Sequence, residues 1–249
     1  KSFKINGYSL MQVSTKALVV SKLRYKESDL IVKCYTAKFG IKSYLIKNAL
    51  KSRKGKFKPA YFQPLTMVHI EAEHKQNRSL HFLKDVKIHN KFESIHTNII
   101  KSTMAMFLAE VLSIVLREEE ENAPLFNFLE AAFIWFNEHK LDTNYHYIFL
   151  IELTKYLGFY PDISQIKSSY FNLEDGKFYN QKIGKYCVDG ENLIDFKILL
   201  GIKFDVNKSV MLKPRHKQEF LNMIILYFKL HLPGFYQPKS MLVLNQVFS

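Results

Sequence analysis

Two cysteines in 249 residues, Cys34 and Cys187, lie far apart and supply neither a disulfide framework nor a four-ligand zinc site. Their scarcity fits a reducing, cytosolic setting. Long apolar runs are also missing. Lys101, Glu110 and Arg117 interrupt the longest candidate, so none reaches the roughly 18 residues of a membrane-spanning helix. Residues 1–10 lack the apolar core of a signal peptide and read as a leader ahead of Met11, a candidate native start. No glycine-rich loop ends in Lys-Ser or Lys-Thr, which leaves nucleotide hydrolysis without visible machinery. His69, His74 and His81 have no cysteine partner and no His-Glu-x-x-His spacing. The acidic run Glu118, Glu119, Glu120 and Glu121 would point in different directions around a helix, as a solvated end does. No cofactor, metal site or catalytic constellation is expected.

What the chain has instead is positive charge, confined to one part of it. Residues 11–90 hold 17 Lys or Arg against 5 Asp or Glu, while residues 91–249 hold 17 against 18. The excess of +13 therefore belongs to the amino-terminal third. A field of this kind attracts polyanions, of which nucleic acid is the commonest. Disorder does not explain it, because 47% of residues are hydrophobic and the chain carries 21 Phe and 14 Tyr.

The periodicity predicts an α+β protein in two parts. Residues 15–20, 30–35, 41–46, 65–73 and 80–88 read as strands, with a polar connection at 25–29 and a glycine turn at Gly40. Short strands this close together favour a small closed barrel, since closure removes exposed edges. From residue 91 the pattern becomes helical: 95–116, then 125–138 with Pro124 in its first turn, then 144–157 ended by Gly158. Residues 159–189 interrupt the bundle with an irregular insert, where Asp175 and Gly176 sit between two short strands as a hairpin turn would. Helices resume at 193–200, 214–230 and 239–248. The domain expectation is 11–90 for the barrel and 91–249 for the helical part.

The basic charge concentrates between two strands. Lys47, Lys51, Arg53, Lys54, Lys56 and Lys58 form a loop, and Arg24, Tyr25 and Lys26 occupy another connection that extends the surface. Lysines on a loop neutralise phosphates without reading bases, so binding should be sequence-nonspecific and salt-dependent. Tyr25, Tyr44, Phe57, Tyr61 and Phe62 are candidate stacking rings for unpaired bases, against the plainer reading that strand aromatics fill a core. In the helical part, Phe126, Phe133, Trp135 and Tyr147 have rings enough for a protein groove. Arg117 and the patch from Arg215 to Lys217 are candidate receivers of a carboxylate. Three readings stay open from composition alone: a DNA binder, an RNA-binding module and a protein-interaction scaffold.

The order of short landmarks resembles the RecO family of bacterial DNA repair proteins. The strand Thr15 to Val20 is followed by Leu23, Arg24, Tyr25, Lys26, Glu27, Ser28, Asp29 and Leu30, then by Phe39 and Gly40. Lys47, Asn48 and Ala49 open the basic loop, and Gln63, Pro64 and Leu65 close it. Phe107, Leu108, Ala109 and Glu110, and later Leu157, Gly158, Phe159, Tyr160 and Pro161, continue the match. The resemblance implies an OB fold joined to a helical domain, acting in the cytoplasm at the nucleoid as a recombination mediator. It also implies binding of single- and double-stranded DNA, strand annealing, and partnership with RecR, single-stranded DNA-binding protein and the RecA recombinase. Many members carry a four-cysteine zinc module after the Gly-aromatic-Pro segment. Here the corresponding region offers only Cys187, so no metal is expected, and Phe171, Leu173, Phe178 and Tyr179 are left to hold the insert.

Overall fold

The structure is a computed structural model that describes residues 2–5, 8–51, 57–75, 78–201 and 217–248, with side chains from Met11 onward. Two compact units emerge, Lys1–Glu138 and His139–Ser249.

The first unit is built on six strands: β1 (Ser2–Ile5), β2 (Tyr8–Tyr25), β3 (Asp29–Thr36), β4 (Gly40–Ile46), β5 (Met67–Lys75) and β6 (Leu80–Asn90). They run in the order β1-β2-β3-β4-β6-β5, and β5 pairs back onto β2. The barrel therefore closes through β2, β3, β4, β6 and β5, with β4 and β6 parallel and the other pairs antiparallel. A five-stranded Greek-key barrel is the OB architecture. Side chains fill it: Ala17, Val19, Val32, Cys34, Tyr44, Ile46, Val68 and Ile70 meet inside, with Phe62 from a 3-10 turn, Pro59–Phe62.

Differences from the strand expectations have local causes. The first strand was expected to stop at Val20 but continues to Tyr25, because a bulge between Val19 and Ser21 resets the alternation and hides the continuation. The connection at 25–29 accordingly shrinks to the turn between Tyr25 and its partner Asp29. Ser2–Ile5, set aside as leader, pairs in a hairpin with residues 8–11. Gly40 takes φ +58°, and a Cβ there would lie 2.2 Å from the Glu118 carbonyl oxygen. Glycine is required twice, by its conformation and by the chain running across it.

Three helices complete this unit: α1 (Glu93–Thr97), α2 (Ile99–Val115) and α3 (Ala123–Glu138). A single helix over 95–116 was expected. Asn98 splits it, its side chain accepting hydrogen bonds from the backbone N–H groups of Ile100 and Lys101, both at 3.0 Å, as an N-cap does. Pro124 falls in the first turn of α3 as anticipated, behind Asn122, whose side chain caps Leu125 N–H at 3.0 Å. These helices lie on the barrel, so the first compact unit extends to Glu138.

The second unit contains α4 (Tyr145–Leu157), the strands β7 (Tyr170–Asn172), β8 (Lys177–Tyr179) and β9 (Cys187–Val188), then α5 (Gly190–Leu199), α6 (Lys217–His231) and α7 (Met241–Val247). Gly158 caps α4 in the left-handed region. The expected hairpin is present and gains a third strand, giving the order β8-β7-β9. Aromatic packing holds it: the Phe171 ring lies 4.7 Å from Phe178, 4.9 Å from Phe196 and 5.8 Å from Tyr227. Cys187 Sγ is tied locally, donating to the Ile183 carbonyl at 2.6 Å. Among the described residues no cluster of three His, Cys, Asp or Glu side chains has the arrangement to hold a metal ion.

Candidate nucleic-acid interface

The two basic segments, separated in sequence, meet at one end of the barrel. Tyr25 and Asp29 close the β2–β3 turn, and Lys26 adopts φ +53° between them. Arg24 Nη2 donates to the Glu27 carbonyl at 2.9 Å, which orders the turn and leaves Arg24, Tyr25 and Lys26 exposed. The β4–β5 connection begins beside it with Asn48 at φ +57°. Asn48 N–H donates to Asp29 Oδ1 at 2.8 Å, and Leu50 N–H donates to the Ser28 carbonyl at 2.9 Å. Lys47 and Lys51, both exposed, are thereby fixed next to Arg24 and Lys26.

Beyond Lys51 the expected loop lies partly outside the described residues, Arg53, Lys54 and Lys56 included. Lys58 is exposed at the foot of the 3-10 turn, where its carbonyl accepts from Tyr61 N–H at 2.9 Å. The candidate rings separate by burial. Tyr44 and Phe62 are core residues at 1% exposure, Phe57 and Tyr61 are half-buried and pack against that core, and Tyr25 is open at 39%.

Among the described residues, the outer face of β3 and β4 is covered over one half. Lys33 Nζ donates to the Ser113 carbonyl at 2.7 Å, Ile41 N–H donates to the Glu118 carbonyl at 3.0 Å, and the Tyr35 ring stacks on Phe126 at 6.2 Å. Burial lowers the Lys33 ammonium pKa, with the Arg117 charge adding to the effect. Lys42 pairs with Glu119, whose carboxyl is held below the usual range chiefly by that hydrogen bond. Arg117 donates to the Ile114 carbonyl at 3.2 Å, and Phe126, 3% exposed, belongs to this covering layer. The acidic run stays exposed, as a solvated end does, and touches the barrel through the Glu118 carbonyl and the Glu119 side chain. Of the other candidate protein contacts, Arg215 is outside the described residues. Lys217 stays within the second unit, its Nζ 3.3 Å from Thr143 Oγ1 and 5.7 Å from the Phe248 ring centroid.

On the other half of the same face, register aligns Leu23 with Ile31, Ile31 with Leu45, and Leu45 with Phe82. Lys75 Nζ and Lys47 Nζ lie 5.0 and 5.6 Å from the Phe82 ring centroid. Sequence reasoning missed Lys75 and Phe82. Their one signal was the adjacent pair Phe82 and Leu83, which puts large apolar groups on both faces of a strand.

No helix among the described residues is long and apolar enough to cross a membrane. The family model described as Recombination protein O N terminal matches residues 11–92, and that for Recombination protein O C terminal matches residues 96–241. The DNA repair protein RecO of Flavobacterium johnsoniae is 45% identical over 240 residues, covering 96% of this chain and all of the relative. That of Christiangramia forsetii is 43% identical over 238 residues, and that of Bacteroides fragilis 31% over 242, with the same coverage. An OB barrel with its basic turns gathered at one end, matched over nearly the whole chain by these relatives, places the protein in the RecO family of DNA repair proteins.

Proposed function

We propose that this chain is a non-catalytic recombination mediator. It binds single- and double-stranded DNA, anneals complementary strands and, with RecR, helps load RecA onto DNA coated with single-stranded DNA-binding protein. In this reading residues 11–90 are the DNA-binding domain, residues 91–249 carry the partner surfaces, with Arg215 and Lys217 as candidate contacts, and the protein works in the cytoplasm at the nucleoid. The supporting observation is the hydrogen-bonded pairing of the β2–β3 turn with the start of the β4–β5 connection, which gathers Arg24, Lys26, Lys47 and Lys51 on one edge.

Annealing follows from elementary electrostatics. Two strands repel through their phosphates, and a surface that neutralises both lets them approach while their bases stay free to pair. Contacts of this type fix the backbone without reading sequence. Replacing Lys51, Arg53, Lys54, Lys56 and Lys58 with Ala should weaken oligonucleotide binding and slow annealing of complementary strands. The slope of log K against log salt should fall by up to about 3.5, at about 0.7 per lost phosphate contact on a single strand. Binding, slope and annealing rate all unchanged in the five-fold variant would remove this loop from the mechanism.

A further inference from the structure

We propose that Phe82 is a stacking platform for a base of an unpaired strand, with Lys47 and Lys75 holding the adjoining phosphates. The proposal rests on the DNA-binding reading above and adds to it a site and a ligand chemistry. Three observations carry it. The first is placement: Leu23, Ile31, Leu45 and Phe82 form an apolar row across four strands on the outer face of the barrel, where a sheet that meets water is ordinarily polar. Leu23 is 65% exposed, and Ile31, Leu45 and Phe82 each keep part of their surface open.

The second is what the rest of that face does. Residues 113–126 cover the half bearing Lys33, Tyr35 and Ile41 and stop short of this row. Among the described residues the open stretch is this row of four strands, a span that suits a few nucleotides. The third is charge. Two ammonium groups lie within 6 Å of the Phe82 centroid, and Arg24, Lys26 and Lys51 border the same end of the barrel. Glu73, in register with Phe82, is neutralised by Lys84 at 3.0 Å. A nucleotide matches such a site at both ends, because its base has a π face for the ring and its phosphate a charge for the lysines. Paired bases keep their faces stacked on one another, so the platform serves single strands.

The test uses the full chain and compares a thymidine oligonucleotide with a duplex of equal length. Phe82→Leu should weaken the single strand roughly 5- to 100-fold and leave the duplex within about twofold, while Phe82→Trp retains wild-type affinity. Lys47→Gln with Lys75→Gln should weaken both. Photo-cross-linking of a halogenated oligonucleotide to the unaltered protein should map to Phe82, a result that does not depend on any variant folding. Equal losses for both DNA forms, or a cross-link confined to other residues, would overturn the platform. So would an acidic peptide whose binding depends on Phe82 while single-strand affinity does not, since the face would then belong to a protein partner. Unaltered single-strand affinity in Phe82→Leu would sink the platform and leave the basic-edge reading standing. Wild-type protein that binds neither DNA form would end both.

Discussion

At the scale of single residues, the barrel interior is less uniformly apolar than its strands suggest. Tyr44 and His74 share a hydrogen bond of 2.9 Å, and the His74 ring stacks on His81 at 4.3 Å with Phe39 edge-on at 5.0 Å. Burial pushes the His74 pKa down to about 4, with His81 and Lys42 acting in the same direction and Glu119 against it. The folded state thus prefers the neutral ring. Its contribution to stability is whole above the ordinary histidine range and is lost as pH falls through that range toward about 4. Denaturant unfolding between pH 7 and pH 4.5 should show stability falling with acid. His74→Gln, which keeps a hydrogen-bonding group but cannot titrate, should flatten that slope by up to about 1.4 kcal/mol per pH unit for one proton. An identical slope in the variant would assign the acid sensitivity to His81, His96 or His146, whose pKa values are also lowered by burial. Sequence alone exposed the histidines but not their burial, because His74 sits between Glu73 and Lys75, and His81, polar between the apolar Leu80 and Phe82, has the alternation of a surface position.

At the scale of elements, alternation and glycine placement made most of the barrel legible. Strands with one buried face announce themselves by period two, and Gly40 and Gly158 marked real turns. What stayed hidden was whatever broke the period. The bulge at Val19 and Ser21 concealed a third of β2, and β9 has only two residues. The division of α1 from α2 was masked because Ile95, Ile99 and Ile100 keep a helical rhythm through Asn98. That cap is testable: Asn98→Ala should destabilise the protein by about 1 kcal/mol in denaturant melts, since two backbone donors lose their acceptor. No change in midpoint would mean that water satisfies them equally well. The means by which the two basic turns meet was likewise unreadable, for it depends on the Asn48 to Asp29 and Leu50 to Ser28 hydrogen bonds between distant residues. That the turn at Arg24, Tyr25 and Lys26 extends the basic surface was an expectation from sequence; the contacts that join it to Lys47 and Lys51 were not.

At the scale of the molecule, charge and architecture divide differently. The positive excess ends near residue 90, yet the compact unit that carries it extends to Glu138. Gly40, Ile41, Lys33 and Tyr35 all take partners from residues 113–126. A fragment of residues 11–138 should therefore melt cooperatively, whereas 11–92 should melt at least 10 °C lower or bind a dye for exposed apolar surface. Equal melting would show that the barrel supports itself. Closure has a further consequence. Strand β2 is the first of the barrel to leave the ribosome, but Val13 must wait for Ala72, and β4 for β6. Until those arrive, β2 pairs with β3 while the edge that β5 will take stays open, and refolding from denaturant inherits the same delay.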